Sequence, residues 1–309
     1  MALTRQQYLV LGAAALLRLI IFLVFPAVQA LLTQRVEVST PVTSFKRLQE
    51  GLYLYIHNVS PYDGGVYHQA PLFLPVFSLL PDYRQSPIWT NLLYILVDIL
   101  SALALIQIAD SGEAATPRLF KSPRKDLRWT STAVAAAYLF NPFTIATTLG
   151  QSSSVFTNCA ILHAIATAID GNVFNSIFAL AMASYFSMYP ILLAPPLALL
   201  AYDHICLSSK IAPRPFTFFA KYVLGLTAGI SGLISASYLI MGNSWQWAAS
   251  TYGPHILLSD LTPNVGLWWY FFIEMFDSFR EFFLGVFWLH MISYVAGMTI
   301  KLRYDFPTH

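Results

Sequence analysis

The chain has 309 residues, of which 57% are hydrophobic and only 10% are charged, and its mean hydropathy is +0.59. Soluble domains carry about 25% charged residues, so this composition indicates a polytopic membrane protein. The net charge of +2 gives no basic field of the kind that binds nucleic acid, and we expect no nucleic-acid partner. Cys159 and Cys206 both lie in apolar segments, which predicts free thiols instead of a disulfide or a metal site.

The first apolar segment covers residues 8–32 and contains Arg18. It lacks the short apolar region and small-residue cleavage site of a signal peptide, so we interpret it as a retained first span. A guanidinium inside such a segment either marks a substrate path, or it snorkels or pairs within the bundle. Pairing or snorkelling is the more common role, and we favour it for Arg18.

Seven further apolar segments follow the first, and together they predict about eight spans in an all-α, multispanning helical bundle. These segments cover residues 88–109, 130–149, 155–169, 173–189, 191–205, 216–241 and 267–300. Two of them, 155–169 and 191–205, are short for full spans, and prolines near the second would kink a helix there. We expect residues 1–309 to form a single integral membrane domain.

Lys and Arg are concentrated in particular loops. The loop 110–129 carries five of them, and Lys210 and Arg214 precede the span at 216–241, whereas the loop 242–267 carries none. The positive-inside rule places the first two loops in the cytosol. With eight spans, the loops 33–70 and 242–267 then face the opposite compartment together.

The loop 33–70 contains an apolar pattern with helical spacing. Its apolar positions are Phe45, Leu48, Leu52 and Tyr55, and its charged positions on the other side are Lys46, Arg47 and Glu50. That pattern predicts an amphipathic helix lying in the membrane interface. A short apolar piece that ends at Pro81 is expected to enter the membrane without crossing it.

Catalytic signatures are absent from the sequence. It has no histidine pair at metal-binding spacing, no glycine-rich phosphate loop and no nucleophile elbow. We therefore expect no catalytic residue, no metal site and no cofactor. Asp98, in the middle of the segment 88–109, is a functional candidate because an intramembrane carboxylate is costly. It could pair with Arg18, contact a polar head group or act as a structural hydrogen-bond anchor between helices.

The segment 259–276 passes from a polar turn into an aromatic run that carries a carboxylate. Trp and Tyr rings gather where hydrocarbon meets water, which indicates a lipid contact. We predict that Asn264 and Glu274 bind hydroxyls or amines of a glycolipid head group. The residues predicted to line its acyl chains are Trp268, Trp269, Phe271 and Phe272. In the alternative interpretation, Glu274 belongs to a self-compensated polar stripe with Asp277, Arg280 and Glu281.

Several segments carry a resemblance to a known family. They are Arg-Val-Glu-Val-Ser-Thr-Pro at 35–41, Ser-Pro-Tyr at 60–62, Tyr-His-Gln-Ala-Pro-Leu at 67–72, Leu-Phe-Asn-Pro-Phe-Thr-Ile at 139–145, and 261–276. Together they resemble the class U subunit of the glycosylphosphatidylinositol (GPI) transamidase complex. The resemblance implies a non-catalytic, multi-pass subunit in the endoplasmic reticulum membrane. Such a subunit recognises or presents the GPI lipid and scaffolds its partners during anchor attachment to proteins.

The resemblance also implies partners and a topology. A cysteine-protease-like catalytic subunit and the other transamidase subunits are the expected partners, and the loops 33–70 and 242–267 are then lumenal. Family members continue with further spans, so we expect this chain, which ends at His309, to be C-terminally truncated.

A second family offers an alternative function. The chain is also similar to multispanning mannosyltransferases that use dolichol-phosphate-mannose, and on that resemblance it would be a GPI mannosyltransferase. Those enzymes place an acidic residue or pair just after the first span, where it acts as a base. Here that position holds the single Glu37, which favours the non-catalytic interpretation.

Overall fold

The computed structural model describes residues 3–112, 129–208, 213–257, 266 and 268–303. All regular structure in these ranges is helical, with no strand. The helices are α1 (Arg5–Val24), α2 (Pro26–Thr33), α3 (Phe45–Ile56), α4 (Phe73–Ser78), α5 (Pro87–Ser111), α6 (Ser131–Leu139), α7 (Pro142–Leu149), α8 (Ser154–Ile169), α9 (Val173–Phe186), α10 (Ala194–Ser208), α11 (Pro215–Ile240), α12 (Gln246–Leu257), α13 (Trp268–Glu274) and α14 (Asp277–Arg303). A 3₁₀ turn at Tyr189–Leu193 leads into α10.

Four helical segments in the described part of the chain are long and apolar enough to cross a membrane: α1, α5, Tyr189–Ser208 and α11. The pair α6 and α7 makes a fifth if it is counted as one bent span. The helices α8 and α9 are apolar but have only 16 and 14 residues. The prediction of an all-helical membrane protein is thus confirmed, and within the described residues these length and composition criteria identify four or five of the predicted spans.

Three of the predicted spans are broken. The segment 8–32 divides at Pro26, which begins α2, and the segment 130–149 divides at Pro142, where α6 and α7 meet at 53°. Proline lacks the N–H that a continuing helix needs and disfavours helical geometry in the preceding residue. Asn141 caps the new helix, since its Oδ1 accepts a 2.9 Å hydrogen bond from the N–H of Phe143. The segment 267–300 divides between Glu274 and Asp277.

The centre of the bundle is an antiparallel pair, α8 and α9. The helix α8 also packs against α5, and α9 packs against α11. Small side chains at these contacts are buried, among them Ala164, Ala168 and Ala181, and they let the helix backbones approach closely. The short helices are therefore held by neighbours on more than one side.

The predicted amphipathic helix forms as α3, but its apolar face lies against protein. Phe45 and Leu48 are buried, and Leu52 and Tyr55 are half-buried on the same aromatic cluster. That cluster joins the first loop to α4, α5 and α8, with members that include Tyr67, Phe73, Phe77, Tyr94 and Phe156. The apolar face that was predicted to contact lipid thus attaches the first loop to the bundle, because aromatic side chains of the loop and of α4 cover it.

Candidate functional site

The first loop and α12 contact each other. Nδ1 of His68 lies 2.8 Å from the carbonyl oxygen of Ser250, and the hydroxyl of Thr251 donates to the carbonyl oxygen of Gln69 at 3.3 Å. The start of α8 joins the same assembly, since the N–H of Ser153 donates to the carbonyl oxygen of Thr43 at 3.0 Å. Residues from three distant parts of the chain therefore meet at one end of the bundle.

A cavity of about 470 Å³ lies at this junction. Its walls come from the first loop, α4, the first turns of α8, the end of α9 and the 3₁₀ turn, together with His255 of α12 and Met291 of α14. Phe73, Phe186 and Leu193 contribute an apolar wall. The volume is in the range of small-molecule sites, which is about 300–1,000 Å³.

The polar lining of the cavity is uncharged. It includes the side chains of Thr43, Gln69, Ser154, Thr157, Asn158 and Ser187, and no Lys, Arg, Asp or Glu is among the described residues that line it. Ser153, Tyr189, His68 and His255 are the other polar residues that line it. Burial, with His68 beside it, holds the pKa of His255 below its ordinary value and favours the neutral imidazole.

Gln69 stands out within this lining because it is only 4% exposed. Its Nε2 donates to the carbonyl oxygen of Ser44 at 2.8 Å, whereas its Oε1 accepts no hydrogen bond from any described residue. A buried acceptor left without a donor costs about 1–3 kcal/mol. Gln69 thus brings an unsatisfied acceptor to the cavity wall, although the oxygen itself has less than 1 Å² of accessible surface.

The aromatic residues predicted to contact lipid lie elsewhere, on α13 and outside the cavity lining. Phe272 is buried at 2% exposure, whereas Trp268 is 43% exposed and Phe271 is 40% exposed. Trp268 meets the ring of Phe287 on α14, with 4.8 Å between ring centroids. The structure therefore brings Trp268, Phe271 and Phe272 together as a partly exposed aromatic surface, beside which Trp269 is half-buried.

Of the two polar residues in the predicted site, the structure describes only Glu274. Asn264 lies outside the described residues, and Glu274 is exposed at the end of α13. Arg280 places its guanidinium 5.2 Å from the ring centroid of Phe272 and donates to the carbonyl oxygen of Leu257 at 3.4 Å. This contact ties α13 and α14 to the end of α12.

Arg18 and Asp98 pair with each other, as one interpretation of the sequence expected. Nη2 of Arg18 lies 2.5 Å from Oδ2 of Asp98. The guanidinium also donates to the carbonyl oxygens of Ala14 and Leu139, at 3.2 and 2.9 Å. These contacts hold α1, α5 and α6 together, and neither residue lines the cavity.

Glu37, the candidate base of the alternative function, is exposed. It is not among the residues that line the cavity. In the described part of the chain, no three or more His, Cys, Asp and Glu side chains are grouped so that they could hold a metal ion.

Sequence reasoning missed the cavity. Its polar groups come from positions around 43, 69, 154, 187 and 255, which are scattered along the chain. The run of Ser residues at 152–154 belongs to a polar segment that is more typical of a tight turn than of a ligand contact. The cavity becomes recognisable only in the folded chain, where the first loop meets α8 and α12.

Comparison with known proteins identifies the family. The sequence profile of the family described as GPI transamidase subunit PIG-U matches residues 12–308. The chain belongs to this family. It is 33% identical over 290 residues to the GPI-anchor transamidase component PIGU of Homo sapiens and, likewise, to that of Cricetulus griseus. It is 35% identical over 295 residues to the GPI transamidase component GAB1 of Saccharomyces cerevisiae.

The alignments cover most of this chain but less of its relatives. The human and hamster alignments cover 88% of the chain and 65% of those proteins, and the yeast alignment covers 94% and 67%. Family membership thus confirms the resemblance seen in the sequence motifs.

Proposed function

We propose that the chain acts as a non-catalytic subunit of a GPI transamidase complex in the endoplasmic reticulum membrane. Its family membership carries this proposal, because the relatives are named as components of that transamidase. In this role it recognises or presents the GPI lipid and scaffolds the other subunits, including a cysteine-protease-like catalytic subunit. The proposed topology has about eight spans, with the loops 33–70 and 242–267 in the lumen.

The aromatic surface of α13 supports a lipid contact. Trp268 and Phe271 are partly exposed beside the buried ring of Phe272, and the guanidinium of Arg280 lies over that ring. Covering apolar surface with an acyl chain gains roughly 25 cal/mol per Å². We propose that Trp268, Trp269, Phe271 and Phe272 contact the acyl chains of the GPI lipid. Asn264 and Glu274 are the proposed head-group contacts of this surface.

Complementation in cells that lack the endogenous subunit tests this function. The test variants are Asn264→Ala, Trp268→Ala, Phe271→Ala and Glu274→Ala, each compared with the unsubstituted chain. The readouts are surface display of GPI-anchored proteins and recovery of the partner subunits by affinity purification. We expect each variant to reduce surface display while the complex is still recovered.

A matched control separates lipid contact from a general loss of aromatic surface. Phe216 begins α11 and is 85% exposed, so Phe216→Ala removes a comparable ring outside the proposed lipid contact. We expect this variant to complement fully. Full surface display by all four test variants would remove α13 as a lipid contact, and failure of the unsubstituted chain to complement would contradict the proposed function.

A further inference from the structure

We infer that the cavity between the first loop and α8 binds a neutral, polyhydroxylated ring, such as the inositol or hexose of a lipid head group. The inference extends the proposed function, since it gives the glycolipid a second contact, distinct from α13. It follows from the charge of the lining, an unpartnered acceptor and the shape of the walls.

The lining selects against charged head groups. Phosphate sites in proteins use Arg or Lys, because ionised donors form the strongest hydrogen bonds to phosphate oxygens. An ammonium group is correspondingly favoured by a carboxylate. The cavity has neither kind of side chain among its described lining residues, and it offers hydroxyls and amides instead. Ring hydroxyls both donate and accept, and so they match Thr157, Asn158 and Ser187.

Gln69 provides a specific acceptor. Its Oε1 accepts no hydrogen bond from the described residues although the side chain is almost fully buried. Its Nε2 is held by the carbonyl oxygen of Ser44, which fixes the orientation of the amide. This oxygen has less than 1 Å² of accessible surface, so a ring hydroxyl donates to it only where ligand entry widens the cavity beside Gln69, and the bond then removes the cost of an unsatisfied acceptor.

The apolar wall of the cavity fits the C–H groups of such a ring. Phe73 and Phe186 stack with 4.6 Å between ring centroids and 22° between ring planes, and both line the cavity. Ligand sites combine apolar and aromatic walls of this kind with a few fixed polar groups. A sugar or inositol ring presents C–H groups to such a wall and hydroxyls to the opposite side.

The site is held in place before any ligand binds. The hydroxyl of Tyr62 donates to the carbonyl oxygen of Gln69 at 2.8 Å, which Thr251 also reaches from α12. The N–H of Leu72 donates to the hydroxyl of Tyr185 at 3.1 Å, which attaches the end of the loop to α9. Such pre-organisation reduces the entropy that binding would otherwise cost.

Lipid binding by the purified chain in nanodiscs tests the inference without partner subunits. Native mass spectrometry would compare phosphatidylinositol, monoglucosyl-diacylglycerol and phosphatidylcholine with identical acyl chains. We expect at least one of the first two to bind about five-fold or more tightly than phosphatidylcholine, and their ratio distinguishes an inositol ring from a hexose. Equal binding of all three lipids would overturn the inference.

Variants locate the binding in the cavity. Gln69→Leu and Asn158→Leu each remove hydrogen-bonding groups from the lining, and we expect about five- to ten-fold weaker binding of the preferred lipid. Asn175→Leu makes the same change at an exposed position near the other end of α9 and should bind like the unsubstituted chain. If Gln69→Leu fails to fold, the exposed position Asn158 decides the question, and unchanged binding by Asn158→Leu would then contradict the inference.

The binding assay and the complementation assay have separable outcomes. Selective binding by a chain that cannot complement would retain the cavity and remove the proposed subunit role. Complementation by a chain that shows no lipid selectivity would retain the proposed subunit role and remove the cavity as a binding site for the ring.

Discussion

Nη2 of Arg18 on α1 and Oδ2 of Asp98 on α5 lie 2.5 Å apart, with side-chain exposures of 0% and 1%. Each charge is costly within a membrane unless the other is present. Removing one partner of a buried pair leaves the other uncompensated, at a cost of about 3–5 kcal/mol. The pair therefore makes the packing of α1 against α5 depend on both residues.

Asp98→Leu should strongly destabilise the chain, by about 3–5 kcal/mol, because Arg18 stays buried without its carboxylate. Arg18→Met combined with Asp98→Leu removes both charges and should recover much of that loss. Thermal unfolding in detergent, followed by size-exclusion chromatography, measures both variants. A double variant no more stable than Asp98→Leu alone would show that the ion pair is not the source of the effect.

Gly51 lies on the face of α3 that contacts Tyr67. A Cβ at this position would lie 2.6 Å from the aromatic ring, which is closer than packed carbon atoms allow. Gly51→Ala should destabilise the first loop by about 1–3 kcal/mol, as overpacked cores do. Limited proteolysis of the loop 33–70 measures the effect.

Gly12 supplies the control for this change. It is also helical, but nothing lies within 4 Å of an added Cβ there. Gly12→Ala should be neutral or stabilising by up to about 1 kcal/mol, from helix propensity alone. Equal proteolysis rates for the Gly51 and Gly12 variants would refute the close packing of α3 on Tyr67.

Tyr94 and Gln151 form a buried polar contact between α5 and the turn before α8. The tyrosine hydroxyl donates to the carbonyl oxygen of Gln151 at 2.7 Å, and Gln151 has a φ of 50°, in the left-handed region. Tyr94→Phe leaves this carbonyl without its donor and should cost about 1–3 kcal/mol in thermal stability. Tyr53→Phe, on the exposed face of α3, should change stability much less. Identical melting temperatures for the two variants would argue against the contact.

Cysteine labelling tests the proposed topology. Cys159 and Cys206 are first replaced by Ala, and single cysteines are introduced as Asp63→Cys, Gln246→Cys and Arg118→Cys. In sealed microsomes, we expect an impermeant maleimide to label position 118 directly and positions 63 and 246 only after permeabilisation. Since the first loop and α12 are hydrogen-bonded to each other, labelling of 63 and 246 from opposite sides would contradict the structure as well as the topology.

Glu37→Gln distinguishes the subunit role from a glycosyltransferase role. Glu37 is exposed and lies outside the cavity lining, so we expect the variant to support normal surface display of GPI-anchored proteins. Loss of display, together with mannose transfer by the purified unsubstituted chain from dolichol-phosphate-mannose, would favour the enzyme.

Features that depend on local chemistry could be predicted from the sequence. The cost of isolated charges pointed to a partner for Asp98, and Arg18 is that partner. The spacing of Phe45 and Leu48 predicted α3, because a helical face has a definite period. The local sequence does not reveal whether lipid or protein packs against such a face. Lipid and the aromatic cluster present equally apolar surfaces, so the sequence could not distinguish an interfacial helix from a packed one.

The cavity is a harder case for prediction. Thr43, Gln69, Asn158 and His255 meet only because the first loop and α12 fold onto the ends of α8 and α9. None of these residue types is unusual in its own segment. The aromatic residues of α13 were conspicuous because Trp and Phe are locally concentrated, whereas a site made of single Ser, Thr and Asn side chains has no local signature.

The bend between α6 and α7 also determines where the charge of Arg18 can be satisfied. In an uninterrupted helix, the N–H of Phe143 would bond to the carbonyl oxygen of Leu139, four residues earlier. Because Asn141 takes that N–H with its side chain, the oxygen of Leu139 is released, and Arg18 donates to it. The break between α6 and α7 thus provides a carbonyl acceptor on α6 for the guanidinium of Arg18 on α1.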